Sequence, residues 1–487
     1  MTNTTDIAFR TAAELTAALR RREISSVELL DHYLGRIEKL NPAVNAVSTI
    51  DPEQARAQAR TADAALARGE RLGPLHGLPM TVKDTIETAG IRTTAGAPEL
   101  ADHLPERDAD SVARLRAAGA VILGKTNVPG YARDVQTYNP LFGTTNNPWN
   151  QGRAVGGSSG GGAAALAAGL TGFEVGSDLA GSIRNPAHYC GVYALRPSFG
   201  IVPSRGHIPR APGWLTSSDM MSIGPLGRGP EDLDLGLDVL AGPASAQAVA
   251  WRLELPRPRA AHLDGYRVGV WLDDPYCPID TTVGDLLAGA VAALRAAGAR
   301  TDERTRPVEL ATGDRLFQQL MHGTAVASWQ ESDFERSCAL AAGLPADADD
   351  PGARFLRNTT QRLRDWHHAN EQREQLRAVW AEYFRYHDVL LCPVTPTAAI
   401  PHDHNPDLGA RRLTVNGKER PYWDQSPWTG LASLAHLPAA VAPVGLTPEG
   451  LPVGIQIIGP HLEDRTVTDL ARHLTRLLGG FQPPPQL

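Results

Sequence analysis

Four cysteines in 487 residues, Cys190, Cys277, Cys338 and Cys392, stand too far apart for a disulfide framework or for the close Cys pairs of a zinc site. They are expected to be buried thiols. Long apolar runs are also missing. No stretch approaches the roughly 18 residues of a membrane span, and residues 1–10 lack the apolar core of a secretory leader, so the expectation is a cytoplasmic chain with no membrane partner. Positive charge is not in excess: 47 Lys and Arg face 54 Asp and Glu, a net charge of -7, with no block of like charges, which argues against a nucleic-acid partner. The histidines have no metal-ligand spacing. His367 and His368 are adjacent in a helical pattern, and His402 and His404 lie in a Pro/Asp-rich loop, so no metal is expected.

Lysine is the scarcest informative residue. Only Lys39, Lys83, Lys125 and Lys418 occur among the 47 basic residues, so arginine serves wherever a plain positive charge suffices. Lysine can lose its proton in a dry site and act as a base, whereas a guanidinium effectively cannot. Each lysine is therefore worth locating.

What is present describes a globular protein: 42% hydrophobic and 21% charged residues are enough for a large core. Apolar residues recur at three- and four-residue spacing from residue 11 to about 39 and from 52 to 67, predicting amphipathic helices. A turn-rich 73–77 leads into a predicted buried strand at 78–83, with Lys83 at its end. Residues 111–118 read as a helix stopped by Gly119, followed by a strand at 120–123. The hexapeptide at 115–120, Leu-Arg-Ala-Ala-Gly-Ala, recurs at 294–299, which predicts the same helix-stop chemistry used twice. Further strands are predicted at 173–176, 191–195, 267–271, 389–392, 439–444 and 453–458. Helices alternate with them, so the class is α/β with a central sheet. The chain divides into N-terminal helices packed on the core (1–70), a core (71–241), a surface connection rich in Ala, Pro and Arg (242–265), a mainly helical region (266–386) and C-terminal strands and helix (387–487) completing the same domain.

Three motifs could carry chemistry. Gly119-Ala-Val-Ile-Leu-Gly124-Lys125-Thr126 matches the phosphate-binding pattern G-x-x-x-x-G-K-[ST] letter for letter. Its intervening residues are strand-forming and Pro129 follows closely, so the flexible cradle and the helix opening at the lysine are missing; Lys125 is read as structural. Gly156 to Gly160 fits G-x-S-x-G, a nucleophile elbow with Ser158 as nucleophile and His402, Asp403 and His404 as partners. An elbow requires a preceding strand, and 147–152 reads as loop. Gly176-Ser-Asp-Leu-Ala-Gly-Ser182-Ile-Arg184 places small residues just before a serine, where successive backbone N–H groups can converge on one point. Taken alone, it reads first as a turn with a helix N-cap.

Taken together, Gly77-Leu-Pro-Met-Thr-Val-Lys83-Asp84, Gly156-Gly-Ser158-Ser-Gly-Gly161 and Gly176-Ser-Asp-Leu-Ala-Gly-Ser182-Ile-Arg184 resemble the amidase signature family in order and spacing. Gly124-Lys-Thr-Asn-Val-Pro129, Asn139-Pro-Leu-Phe-Gly-Thr144 and Gly450-Leu-Pro-Val-Gly-Ile455 extend the match from about residue 10 to 475. The resemblance implies an α/β amidase signature fold, a mixed central β-sheet covered by helices on both faces. It also implies a Ser-cisSer-Lys triad mapping onto Ser182 as nucleophile, Ser158 as relay and neutral Lys83 as base. The backbone amides of Leu179, Ala180, Gly181 and Ser182 would hold the oxyanion, while Asp178 and Arg184 brace the loop. Asp84, next to Lys83 in an extended segment, should face the other way.

The implied activity is hydrolysis of linear or cyclic carboxamides by an acyl-enzyme route, with no cofactor. Its partner is a small-molecule amide substrate, with no nucleic acid and no membrane, and a homodimer is left open. The alternative is a glutamine-hydrolysing component of an amidotransferase. Ala180, Gly130, Val155 and Asn185 depart from the usual family pattern; Ala180 would narrow the oxyanion loop, and Asn185 stands where the amidotransferase component usually has glutamine. Residues 130–136 and 314–329 are the expected pocket walls, and their Tyr131, Phe317, Met321 and Trp329 suggest an apolar or aromatic acyl group.

Overall fold

The computed structural model describes residues 6–209 and 211–485, so the outermost ends of the two terminal segments lie outside it. Among the described residues, eleven strands drawn from the whole length of the chain form one mixed sheet. In chain order they are β1 (Val47–Ile50), β2 (Pro79–Lys83), β3 (Val121–Thr126), β4 (Glu174–Asp178), β5 (Tyr193–Arg196), β6 (Ser222–Gly227), β7 (Arg267–Val270), β8 (Arg300–Asp302), β9 (Val389–Pro393), β10 (Ala439–Leu446) and β11 (Pro452–Ile458). Their order across the sheet is β1-β3-β2-β4-β6-β5-β10-β11-β9-β7-β8. β2 runs parallel to both β3 and β4, while β6 is antiparallel to β4, so the mixed sheet that the resemblance implied is present.

β1, β6 and β8 are absent from the sequence-based expectation. β6 is the instructive case, because Ser222-Ile-Gly-Pro-Leu-Gly227 carries a glycine and a proline at its centre, yet it lies between β4 and β5, with Pro225 opposite Val175. A proline is unusual in an interior strand. The segment 147–152, read as loop, contains part of a small hairpin in which Asn146–Asn147 pairs with Asn150–Ala154, apart from the main sheet.

Helices form where the sequence supplies both a cap and an apolar stripe. Thr11 and Ser25 each close a capping box, with Glu14 and Glu28, and start Ala12–Arg20 and Ser26–Val44. Both copies of the repeated hexapeptide end a helix, Asp110–Ala117 and Thr281–Ala296, with Gly119 and Gly298 at φ of +90° and +104°. The Gly/Ser-rich run at 156–162 leads into a helix. It opens Gly160–Ala167, a helix buried on every side, and a Cβ on Gly161 would stand 2.4 Å from the Asn127 nitrogen. Only an absent side chain permits that approach. Cys190, Cys277 and Cys392 are buried as expected, but Cys338 is exposed, because the polar helix Glu331–Ala342 buries only Ser337.

Candidate active site

Two adjacent parallel strands, β2 and β4, end at the same edge of the sheet, in register through Thr81 with Glu174 and Val82 with Val175. Lys83 is the last residue of β2 and Asp178 the last of β4. The carboxyl end of parallel strands is where loops can converge on a ligand. Two loops do so: residues 155–159 ahead of Gly160–Ala167, and 179–183 ahead of the helix Arg184–Cys190. Ser159 N donates to Ser182 O at 3.0 Å and ties them together.

Two of the four lysines, Lys83 and Lys125, are fully buried, while Lys39 and Lys418 are exposed. Lys125 is structural: its amine donates to Ile86 O, to Thr88 Oγ1 at 2.9 Å and to Thr93 Oγ1 at 3.3 Å. Together with the strand β3 running through its glycine pattern, this disposes of the phosphate-cradle reading.

Lys83 is differently placed. Its Nζ lies 2.7 Å from Ser158 Oγ, 3.0 Å from Ser177 Oγ and 3.2 Å from Ser177 O. Burial lowers the amine from 10.5 to about 7, against the opposing pull of Asp178 and Glu174. Asp84 turns away, as strand alternation requires, and its carboxylate accepts from Thr94 Oγ1 at 2.5 Å. Glu174 is the unforeseen neighbour. This buried carboxyl, bonded to the hydroxyls of Thr81 and Thr126, is raised to about 7 by its burial.

Ser158 is nearly fully buried, and the peptide joining it to Gly157 is cis. Its hydroxyl is bonded to Lys83, whereas His402 Nε2 contacts Gln151 O, His404 stacks on Tyr138 and Asp403 N bonds Gln136. The partners an elbow would need are thus engaged elsewhere.

Ser182 is half-buried in a loop braced by Asp178. Asp178 accepts from Gly181 N at 2.9 Å, Ile183 N at 3.1 Å and Arg184 N at 3.3 Å, and from the Arg184 side chain. Burial pushes this carboxyl upward, but Arg184 and Arg196 outweigh it and hold Asp178 well below the usual carboxylate range. The Gly181 amide is thereby taken. Gly181 sits at φ of +105°, and a Cβ there would stand 2.8 Å from Thr429 Oγ1, the hydroxyl that holds Ala180 O at 3.0 Å.

Of the expected pocket walls, Phe317 and Met321 pack with Met220, Leu179 and Ala180 beside the loop. Arg133 Nη2 reaches Ser328 O at 2.9 Å, joining the two wall segments. A separate groove of about 410 Å³, lined by Glu87, His103, Arg107, Arg205 and Trp214 among others, includes none of Lys83, Ser158 or Ser182. Sequence reasoning overlooked His207, whose Nε2 lies 2.8 Å from Ser177 Oγ. A lone histidine without a motif gave no signal.

An α/β scaffold with a large mixed sheet, carrying a buried amine and two serine loops at its strand ends, is an amidase signature architecture. A solved amidase superposes with a TM-score of 0.79 at 30% identity, covering 96% of this chain and 100% of that one. A bacterial aryl acylamidase of the amidase signature family superposes with a TM-score of 0.80 at 25% identity, covering 96% of each chain. The glutamyl-tRNA(Gln) amidotransferase A-type component from Roseiflexus sp. (strain RS-1) is 34% identical over 501 residues, 98% of each chain. The chain belongs to the amidase family, whose family model matches residues 28–468.

Proposed function

We propose that the protein is an amide hydrolase in which Ser182 attacks the carboxamide carbonyl, Ser158 relays its proton to neutral Lys83, and the acyl group is held on Ser182 until water releases it. The observation that carries this reading is the 2.7 Å contact between Ser158 Oγ and a wholly buried amine lowered to about 7. A serine hydroxyl needs a base to become a nucleophile, and an amine near neutrality is half unprotonated at the pH where it must act. The proton then returns through Ser158 to the departing amine, so no net charge is left behind. The loop amides at 179–182 are the proposed source of oxyanion donors. Because Gly181 N is bonded to Asp178 here, Leu179, Ala180 and Ser182 carry that part of the proposal.

The substrate class is a carboxamide with an apolar or aromatic acyl group, supported by Phe317 and Met321 beside the loop and by the aryl acylamidase among the similar structures. A second reading, the glutamine-hydrolysing component of an amidotransferase, is supported by the name of the 34% identical relative. One experiment separates the two. The purified chain alone is assayed on a panel of aryl, alkyl and cyclic amides and on glutamine, and a fluorophosphonate adduct is mapped by peptide mass. Turnover of a simple amide with label on Ser182 is expected. Turnover of glutamine only when a partner protein is added would favour the second reading, and label on Ser158 that persists in Ser182→Ala would overturn the assigned roles.

A further inference from the structure

We infer that His207 is a positioning residue that acts through Ser177 to aim the lone pair of Lys83 at Ser158. The inference rests on Lys83 being the base. A neutral amine has two N–H bonds and one lone pair. To take a proton from Ser158 it must turn the lone pair toward Ser158 Oγ, which requires both N–H bonds to be engaged elsewhere. Ser177 offers two sites, its carbonyl oxygen at 3.2 Å and its hydroxyl at 3.0 Å. The carbonyl can only accept. The hydroxyl is ambivalent, because it can accept from Lys83 or rotate and donate its own hydrogen to the lone pair, which would disable the base.

The third partner of that hydroxyl decides between these states. His207 Nε2 lies 2.8 Å from Ser177 Oγ, with Thr85 Oγ1 at 3.2 Å from the same nitrogen. Burial and the nearby Lys83 lower this imidazole to about 3, so it is neutral wherever the enzyme would work. The inferred state has the ring hydrogen on Nδ1, so that the single lone pair of Nε2 accepts from Ser177, the nearer of its two hydroxyl neighbours, and leaves the Ser177 lone pairs to face Lys83. Protonated Lys83 keeps the same three partners, so the proton cycles between Lys83 and Ser158 with Ser177 unmoved. Burial, opposed by Asp178 and Glu174 on β4, sets the acidity of the amine, while His207 sets its direction. The fold holds His207 in place through the segment that follows Lys83: His207 bridges Ile86, Ile208 N donates to Thr85 O at 2.8 Å, and Glu87 N donates to Gly206 O at 2.9 Å.

The test is a double-mutant cycle with His207→Phe and Ser177→Ala, assayed on an amide the wild type turns over, with folding followed by circular dichroism. His207→Phe keeps a ring but no acceptor, and kcat is expected to fall about 10- to 100-fold, a part of what a positioned base supplies, with KM within about twofold. His207→Gln, which retains an acceptor, should recover part of the loss. Because His207 acts only through Ser177, the double variant should be no slower than Ser177→Ala alone. If His207→Phe fails to fold, His207→Leu completes the same cycle. Losses that multiply, or a His207 variant with full kcat, would overturn the inference. Failure of the underlying reading shows separately, as an active Lys83→Arg.

Discussion

Arg184 closes a two-bond pair on Asp178, Nε to Oδ2 at 2.9 Å and Nη2 to Oδ1 at 2.8 Å, with both side chains fully buried. Its remaining donors go to Thr429 O at 2.7 Å, Gln456 Oε1 at 2.6 Å and Ser433 Oγ at 2.9 Å. The pair thus ties the loop carrying Ser182 to the C-terminal third of the chain. Removing one member of a buried pair strands the other charge, at a cost of about 3–5 kcal/mol.

Arg184→Met is therefore expected to lower the urea midpoint markedly. Arg196, whose Nε is 3.8 Å from Asp178 Oδ1, should keep the loss at the lower end of that range. The sign of the pH effect follows from Asp178, whose carboxyl is held below its ordinary 3.8. Its contribution to stability is present above that value and disappears as the pH falls toward the folded-state value. Wild type should therefore keep this contribution down to about pH 4, whereas Arg184→Met should lose stability relative to wild type most at neutral pH and least in acid. An unchanged urea midpoint at neutral pH would show that the pair does not brace the loop.

The sequence made the core strands readable where apolar residues cluster, as at β9 and β11, because burial on both faces demands such runs. It hid β6, where Gly224 and Pro225 mimic a turn and only tertiary contact makes a strand. The small hairpin at 146–154 was hidden for a related reason, since its polar residues lack alternation. Lys83, Ser158 and Ser182 were readable from motifs, and the structure brings Lys83 and Ser158 into direct contact. Glu174 and His207 were not. A carboxylate that opens a short strand and a solitary histidine acquire meaning only when the tertiary fold sets Glu174 opposite Thr81 on the neighbouring strand and His207 against Ser177, which no local pattern encodes.

Gly181→Ala tests the oxyanion loop. At φ of +105°, with Thr429 Oγ1 2.8 Å from where the new Cβ would stand, the methyl group can be accommodated only if the loop shifts. Strain of this kind is worth about 1–3 kcal/mol. Displacing one oxyanion donor lowers kcat by about 10²–10³-fold, so activity should fall far more than stability. The check is kcat alongside a thermal melt. A variant with near-normal kcat would show that the loop amides do not meet the developing charge.

Lys83→Arg separates basicity from charge. If Lys83 merely filled a buried electrostatic site, arginine, which this chain uses at 43 positions against four lysines, would substitute with modest loss. As the proton acceptor, Lys83 cannot be replaced by a guanidinium, and kcat/KM should fall about 10²–10⁴-fold. The wild-type pH profile should agree. Burial lowers the amine to about 7 from 10.5, so the free-enzyme base is formed as the pH rises through neutrality. Consequently kcat/KM should climb about tenfold per pH unit below that point and level off above it, and Lys83→Arg should lack this limb. The same shift has a sign for stability. Between about 7 and 10.5 the unfolded chain binds more protons at this site than the folded one, so the stability penalty of burying Lys83 shrinks as the pH rises through that window. Lys83→Arg, always charged, should show no such relief, and urea unfolding at pH 7 and at pH 9 measures the difference. A folded Lys83→Arg that retains substantial amidase activity with an unchanged pH limb would rule out Lys83 as the base, whatever the role of Ser182.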